Sequence, residues 1–193
     1  TVLGPSLGGT RMWHYTNEED AIKDVLRLSR GMTLKASISG LNIGGGKAVL
    51  IGDPSMKNEA YLRRFGRFIE SLGGRYITAE DMNTQTSDME YIAMETKHVT
   101  GLPESKGGGG DPSPVTAYGT YLGIKAAAKK AYGSDSLEGK KILIQGTGQV
   151  GKHLAEYLSK EKAHLMLADI NEDRAARVAA SVGGKIGSAN SIH

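Results

Sequence analysis

Two periodicities of apolar residues alternate along the chain and predict helices and strands in turn. Apolar residues that recur every three or four positions indicate amphipathic helices, and these segments are 16–30, 58–72, 86–97, 113–132, 149–160 and 171–181. Short apolar runs bounded by turn residues are typical of buried strands, and these runs are 48–51, 76–78, 141–145 and 164–168. Thr16 and Glu19 fit a capping box at the start of the first helix. The order of these elements predicts an α/β fold with a mainly parallel sheet.

A glycine-rich segment divides the chain into two parts. The successive glycines at 107–110 cannot hold a regular element, so they predict a loop or hinge. Ser113 and Pro114 follow and suit the cap and the first position of a helix. We therefore expect one domain over residues 1–112 and a second over residues 113–193.

Composition and charge exclude several classes of function. The net charge is only +3 and basic residues alternate with acidic ones, which indicates a solvated surface and argues against nucleic-acid binding. The absence of cysteine excludes disulfides and thiolate metal sites and favours a reducing compartment, and the 5 histidines lack the spacing of metal ligands. No apolar run approaches the roughly 20 residues that span a bilayer. We expect a soluble cytoplasmic protein with no metal site and no membrane partner.

A glycine-rich turn joins a predicted strand to the helix that follows it. Gly146, Gly148 and Gly151 have the G-x-G-x-x-G spacing in its strand–turn–helix setting. The first glycine permits the turn, the second lets backbone approach a pyrophosphate, and the third lets helix and strand pack closely. The helix N-terminus, with Gln149 and Val150, offers free N–H groups to the phosphates. The segment predicts a dinucleotide-binding Rossmann domain.

One acidic residue predicts which dinucleotide binds. Asp169 stands at the end of the next predicted strand. A carboxylate in that position bonds the 2′- and 3′-hydroxyls of the adenosine ribose and would repel a 2′-phosphate. We therefore expect NAD in preference to NADP.

A lysine and an acid in the first half are candidates for chemistry. A lysine is most often a surface charge, and an aspartate before a helix is most often its cap. Lys47, however, lies between three glycines and a predicted buried strand, where a solvated lysine has little reason to be. Asp81 directly follows a strand end, the usual place for functional groups in α/β folds.

Several distinct motifs follow one another along the chain. They are Leu3–Met12, Lys35, the Gly-Gly-Gly-Lys of 44–47, the Thr-Ala-Glu-Asp of 78–81, the hinge sequence of 110–119 and the glycine turn of 146–151. In this order they resemble the glutamate/leucine/phenylalanine/valine dehydrogenase family, and most closely its leucine-type members, over about residues 1–182. The resemblance implies an N-terminal α/β substrate and oligomerisation domain, a Rossmann NAD-binding domain, and a homo-oligomer that acts on a small L-amino acid.

The resemblance also implies a role for each candidate residue. Lys35 would hold the substrate carboxylate, Lys47 would be the catalytic lysine, and Asp81 would exchange protons with the substrate amine. Thr116 would lie near the nicotinamide, and the glycine turn with Asp169 would bind the rest of NAD. The implied reaction converts an L-amino acid, NAD and water into a 2-oxo acid, ammonia and NADH.

Residues near the start of the chain bear on which amino acid is used. Glutamate-specific members of the family carry, near the position of Leu7, a lysine that meets the side-chain carboxylate of the substrate. A leucine cannot pair with that charge, and burying an unpaired carboxylate is costly, so glutamate is rejected. Leu7, Gly8 and Ala79 are candidate walls of an apolar pocket, although Leu7 also fits a core position. Leucine, valine and phenylalanine stay open, because one methylene is worth only about 1–3 kcal/mol.

The second domain is expected to be incomplete. A full dinucleotide domain has two βαβαβ halves, and few residues follow the helix at 171–181. The segment 187–190 resembles a cofactor-contacting segment that the family places much further along, so Asn190 is a candidate cofactor contact. The short second half leaves another hypothesis open, a catalytically silent cofactor-binding or assembly module. A Rossmann reductase with an unrelated substrate would leave the two lysines and Asp81 without a purpose.

Overall fold

The computed structural model of the chain describes residues 1–188 and consists of two compact units. The first unit is Thr1–Asp111 and the second begins at Pro112. Both alternate strands with helices, and every strand pairing in the described part of the chain is parallel. The α/β fold with parallel sheets that the sequence predicts is therefore confirmed.

The first unit is a four-stranded sheet with helices packed on it. In chain order its elements are β1 Ser6–Trp13, α1 Glu18–Ile38, β2 Gly44–Gly45, β3 Ala48–Ile51, the one-turn helix Pro54–Met56, α2 Glu59–Ser71, β4 Tyr76–Glu80, α3 Thr86–Ala93 and the one-turn helix Glu104–Lys106. β1 is central, since β2 and β3 pair along one of its sides and β4 along the other. The carboxyl ends of β1, β3 and β4 therefore meet at one edge of the sheet.

The apolar pattern of the sequence misses β1, the central strand. Its middle residues are Gly8, Gly9 and Thr10, which do not mark a strand by hydrophobicity, yet all three are buried. A Cβ atom at Gly8 would lie 1.7 Å from the carbonyl oxygen of Gly46. Only glycine fits where these two backbone segments approach each other, and the close approach itself produces the burial.

The second unit is a three-stranded sheet with one glycine-rich turn at its edge. Its elements are α4 Ser113–Tyr132, β5 Lys141–Gln145, α5 Gln149–Lys160, β6 His164–Ala168, α6 Glu172–Val182 and β7 Lys185–Ile186. The strand order is β5-β6-β7, and the core is formed by Leu137, Leu158 and Leu167 with their neighbours. Because β5 and β6 are parallel neighbours, the segments that follow them lie at the same edge of the sheet.

The first helix is longer than its apolar periodicity predicts. Its cap is Asn17 and not Thr16, because the side chain of Asn17 accepts the backbone N–H of Asp20 at 2.8 Å. The helix then continues to Ile38, well beyond residue 30, with several apolar side chains exposed on its outer face. This extension places Lys35 in the last turn of α1.

The helices on either side of the glycine-rich segment also differ from the prediction. α3 ends at Ala93 instead of near residue 97. Just after this end, Glu95 forms ion pairs with Arg63 and Arg67 of α2. Ser113 is the first residue of α4, and Pro112 precedes it as the cap. Proline suits this place because it has no N–H to leave unsatisfied.

Several strands are less buried than their apolar runs predict. The residues of β3 are half-buried or exposed, and Leu143 of β5 and Met166 of β6 are exposed neighbours on one face of the second sheet. Parallel sheets are usually covered on both faces. In the described part of the second unit, the helices therefore leave part of one sheet face open.

We predict that Leu62→Ala lowers the free energy of unfolding of the first unit by about 2–5 kcal/mol, because it leaves a cavity in the core. Leu62 is 1% exposed and packs with Met89 and Ile92. Urea unfolding followed by the fluorescence of Trp13, the 1 tryptophan of the chain, measures the effect. The matched control is Leu26→Ala, since Leu26 is 64% exposed and its loss should change stability by less than about 0.5 kcal/mol. Equal losses in the two variants would contradict the assigned core.

Candidate functional site

A cluster of one carboxylate and two cations lies beside the central strand of the first sheet, where β4 ends. The Nζ atom of Lys47 is 3.1 Å from Oδ2 of Asp81, and the Nε atom of Arg11 is 3.0 Å from the same oxygen. Lys47 follows β2, Asp81 follows β4, and Arg11 lies on β1 between them. The sheet topology thus brings together the two residues that the sequence proposes for chemistry and adds a third that it does not.

Lys47 is the buried member of this cluster. Its side chain is 6% exposed, whereas that of Asp81 is 26% exposed. A buried ammonium group is costly unless it is paired, so the ion pair with Asp81 is what allows Lys47 to lie inside the unit. The carboxylate in turn keeps one side open to solvent, where a small molecule can reach it.

Gly9 provides the space that the cluster needs. A Cβ atom at this position would lie 2.8 Å from Cβ of Asp81 and 2.4 Å from the carbonyl oxygen of Glu80. Glycine is therefore required in β1 for β4 to carry Asp81 this close to the central strand. Sequence reasoning assigned a site role to the neighbouring Gly8 and not to Gly9.

A second carboxylate holds Arg11 in place. Nη1 of Arg11 lies 3.0 Å from Oδ2 of Asp24 on α1, and the hydroxyl of Tyr15 donates to the same oxygen at 2.6 Å. Burial and this hydrogen bond to Asp24 raise the pKa of Tyr15 to about 12, so the hydroxyl keeps its proton at neutral pH. Arg11 therefore bridges the helix and the strand end, with both ends of its guanidinium paired.

The charge state of Asp81 follows from these neighbours. Burial alone would raise the pKa of the Asp81 carboxyl, but Lys47 and Arg11 outweigh it, and the pKa lies below its ordinary value. Asp81 is therefore ionised at neutral pH. The arrangement is a carboxylate that can accept a proton, beside an ammonium group that can give one.

The other substrate residues proposed from the sequence lie at varying distances from this cluster. Leu7 and Ala79 are on the same sheet face as Arg11, because Leu7 and Gly9 alternate with it along β1 and Gly9 pairs with Ala79. Lys35 is exposed, and its side chain has no ion pair or hydrogen bond among residues 1–188. The structure therefore brings together Lys47 and Asp81, with Leu7 and Ala79 on one face, and leaves the Lys35 side chain without a polar partner among residues 1–188.

A cavity of about 620 Å³ in the first unit is not where the candidate residues converge. It is lined by apolar side chains of α2, by Tyr76 and by part of Lys47, but not by Asp81, Lys35, Leu7 or Ala79. This cavity therefore does not contain the whole proposed substrate set.

The glycine turn of the second unit has the geometry that its spacing predicts. Gly146 has a φ of +93°, which favours glycine, and Gly148 is the N-cap of α5. A Cβ atom at Gly151 would lie 2.0 Å from the carbonyl oxygen of Gly146, so the helix can pack on the turn only with glycine there. Gln149 and Val150 begin α5. A Cβ atom at Gly148 would meet nothing within 4 Å, which leaves open space beside the turn.

Asp169 lies at the same edge but is already fully engaged. Its side chain is 2% exposed, and its oxygens accept from the backbone N–H and hydroxyl of Thr147, from the N–H of Asn171, and from Nε and Nη2 of Arg174. The hydrogen bonds from Arg174, followed by those from Asn171 and Thr147, outweigh burial and lower the pKa of Asp169. Sequence reasoning missed Arg174, although its place in the first turn of the helix that follows the strand could have suggested it.

Two further candidates stay predictions. Thr116 is exposed in the first turn of α4. Asn190 lies outside the described residues. Within residues 1–188, we find no group of three or more His, Asp or Glu side chains that could hold a metal ion, and no helix has the length and apolarity to span a membrane.

Comparison with known proteins places the chain in a family. Residues 1–98 match the dimerisation domain of Glu/Leu/Phe/Val dehydrogenases, and residues 107–171 match the Glutamate/Leucine/Phenylalanine/Valine dehydrogenase domain. The chain belongs to the Glu/Leu/Phe/Val dehydrogenase family. The resemblance found in its motifs is confirmed.

Relatives within this family are similar along the whole chain. The chain is 56% identical to the leucine dehydrogenase of Geobacillus stearothermophilus over all of its own length and 53% of that protein. It is 48% identical to the valine dehydrogenase of Streptomyces virginiae over 92% of its length and 50% of that protein. The chain therefore spans about half the length of the curated relatives it matches.

Solved structures of amino-acid dehydrogenases share the fold. The L-tryptophan dehydrogenase of Nostoc punctiforme is similar with a TM-score of 0.67 and 42% identity, over 100% of this chain and 54% of that one. The hetero-hexameric glutamate dehydrogenase of Thermus thermophilus, in a Leu-bound form, gives a TM-score of 0.72 at 26% identity, over 86% and 42%.

We predict that Asp81→Asn lowers the free energy of unfolding at pH 7 by about 1–2 kcal/mol, because two cations lose their shared charged acceptor. The folded-state pKa of Asp81 is depressed, so its stabilisation is complete above the unfolded-state value of about 4 and is lost as the pH falls through the folded-state value. Urea unfolding between pH 7 and pH 3 should therefore show the difference from wild type shrinking below about pH 4. The exposed Asp173→Asn is the control and should show no such trend.

Proposed function

We propose that the protein to which this chain belongs catalyses the NAD-dependent oxidative deamination of a branched-chain L-amino acid, with leucine preferred. The products are the 2-oxo acid, ammonia and NADH. The observation that carries the proposal is the buried Lys47 ammonium held 3.1 Å from the Asp81 carboxylate in a chain of this family. A buried lysine paired with a partly exposed carboxylate can take part in proton transfer to and from an amine. A lysine that served only as a surface charge would be solvated.

The residues of the glycine turn fit a dinucleotide. The space beside Gly148 is free of protein atoms, and the first turn of α5 offers unpaired N–H groups to a pyrophosphate. Gly146, Gln149, Val150 and Gly151 complete the turn. The bound nicotinamide would supply the acceptor for the hydride that leaves the substrate Cα.

Asp81 and Lys47 divide the proton transfers between them. Ionised Asp81 takes a proton from the substrate ammonium group, so that the nitrogen lone pair can assist loss of hydride from Cα and an iminium ion forms. Asp81 releases that proton to solvent on its open side and then accepts one from Lys47 along their hydrogen bond, so that the free amine of Lys47 can take a proton from the water that attacks the iminium carbon. Asp81 gives its proton to the nitrogen and then takes the proton of the new hydroxyl group, so that the carbonyl forms, ammonia leaves and the last proton passes to solvent. A proton donor and acceptor held in contact avoid the need for a second diffusing acid or base.

Arg11 has a positioning role in this scheme. It holds the same Asp81 oxygen as Lys47, while Asp24 and Tyr15 hold Arg11. Its guanidinium is always charged and its planar shape fixes the direction of both carboxylates. The oxygen that Lys47 uses is therefore kept at one place throughout the reaction.

The substrate is proposed from the apolar side chains and from the relatives. Leu7 and Ala79 lie on the sheet face that carries the cluster and offer no charge to a side-chain carboxylate, which excludes glutamate. Lys35, with no partner inside the described residues, is free to hold the substrate carboxylate. The similarity to leucine dehydrogenases supports leucine, and valine and phenylalanine are the alternatives within the same family.

Assembly, cofactor and location belong to the same proposal. The match of residues 1–98 to a dimerisation domain supports a homo-oligomer, and the structural relative from Thermus thermophilus, a hetero-hexamer, is also an oligomer. We propose NAD as the cofactor, Thr116 as a contact of its nicotinamide, and the cytoplasm as the location. The alternative left open by the sequence is a module that binds the dinucleotide without turnover.

We predict that Lys47→Ala and Lys47→Arg both lower kcat by a factor of about 10² to 10⁴, because neither side chain can take a proton from water. Lys47→Arg keeps a cation beside Asp81, so it separates the chemical role from the structural one. The rate of NADH formation is measured with leucine, isoleucine, valine, phenylalanine and glutamate in turn. NADH binding, measured by fluorescence, should stay within a few-fold of wild type.

The control is Lys23→Ala, an exposed lysine of α1 that should leave the rate unchanged. Turnover that persists in both Lys47 variants would refute the role of this residue. A wild-type protein that binds NADH but converts none of the amino acids would favour the non-catalytic module.

A further inference from the structure

A cationic pocket adjoins the glycine turn of the second unit. It has a volume of about 430 Å³, and its lining includes Thr147, Gly148, Lys152, Arg174 and Arg177. Three cations therefore line this space, and the side chain of one of them, Arg174, is paired with the carboxylate of Asp169. A pocket with this excess of positive charge, on the edge where a dinucleotide would bind, fits an anionic group.

The hydrogen bonds of Asp169 leave it no capacity for a ribose. A carboxylate has about four lone-pair sites, and Asp169 accepts from five donors, two of them on Arg174. A ribose hydroxyl could bond this carboxylate only by displacing Arg174. That displacement would break a charge-assisted pair in which Nη2 lies 2.7 Å from Oδ1 and Nε 3.1 Å from Oδ2.

Arg174 also has donors to spare. A guanidinium carries five N–H groups in a planar fork, and the side chain of Arg174 is 43% exposed towards solvent while that of Asp169 is 2% exposed. With Lys152 and Arg177 beside it, the outer side of this fork matches the geometry of a phosphate. Arg174 pairs with Asp169, the acid predicted to bind the ribose, and is thus itself placed to bind an anion.

We propose that this pocket takes the 2′-phosphate of NADP, so that the protein accepts NADP as well as NAD, and that Arg174 determines this specificity. The inference rests on the proposed function, because it requires a dinucleotide at the glycine turn. It changes the expectation from sequence, in which Asp169 alone repels a 2′-phosphate. In the structure Arg174 cancels that repulsion and adds an attractive partner.

Adenosine ligands without the nicotinamide test this inference separately from turnover. We expect calorimetric titration of the 193-residue chain to give a Kd for 2′,5′-ADP no higher than that for ADP. Arg174→Ala should raise the Kd of 2′,5′-ADP by about tenfold or more, because a hydrogen bond to a charged group is lost. The same variant should bind ADP as well as wild type or more tightly, since Asp169 becomes free for the ribose.

Two more variants make the result specific. Arg177→Ala should weaken 2′,5′-ADP without tightening ADP, because Arg177 does not occupy Asp169. Arg174→Lys keeps a cation in the pocket and should lose less affinity than Arg174→Ala, and it also serves if the alanine variant does not fold. The control is Arg27→Ala, an exposed arginine of α1 in the other unit.

The possible outcomes separate the inference from the proposed function. If ADP binds and the affinity for 2′,5′-ADP is more than about a hundredfold lower, the inference is overturned and the proposed function is left intact. An unchanged ratio of the two Kd values in Arg174→Ala would also overturn it. Failure of both ligands to bind would defeat the dinucleotide site and the inference together.

Discussion

The first unit depends on one carboxylate oxygen shared by two cations. Oδ2 of Asp81 lies within 3.1 Å of both the Lys47 ammonium and the Arg11 guanidinium. Desolvating Lys47 would be costly without this partner, and Asp81 would be protonated more easily without the two cations. The two cations thus keep Asp81 charged, and Asp81 offsets the cost of burying Lys47. The parallel sheet makes this possible, because three segments separated widely in sequence become neighbours around β1.

Close backbone contact is the second requirement, and glycine supplies it. Gly9 lets Asp81 approach β1, and Gly151 lets α5 pack on the turn that begins at Gly146. A side chain at either place would meet a backbone carbonyl oxygen, which cannot rotate away as a flexible side chain can. The glycine clusters of the sequence therefore mark the places where the candidate sites are assembled, and not loose linkers alone.

The second unit uses a buried carboxylate in a different way. Asp169 binds the N–H and hydroxyl of Thr147 inside the glycine turn, and Arg174 covers its outer side. The acid therefore shapes the turn and stands where the sequence predicts a contact with the ribose. Oxygens that already accept these hydrogen bonds cannot also bind a ribose fully, which is why we propose that the neighbouring Arg174 decides what the pocket accepts.

Much of the fold follows from local pattern. The segments 141–145, 149–160 and 164–168 have the bounds that their apolar periodicity predicts, because each has a strong local signal and clear turn residues at its ends. The end of α1 and the strand β1 could not be predicted in this way. α1 continues beyond its periodic stretch, so its end is not marked by the apolar pattern. β1 is buried because neighbouring backbone packs against its glycines, and not because its own side chains are apolar.

The sequence by itself determined the α/β order, the glycine turn, and the choice of Lys47 and Asp81 as candidates, because periodicity, glycine spacing and strand-end positions are local properties. Only the tertiary structure decided that Arg11 joins them and that Arg174 covers Asp169. These are contacts between side chains brought together by packing. The linear sequence does not indicate that residues such as Arg11 and Asp81 will pair, because strand pairing and not separation along the chain makes them neighbours.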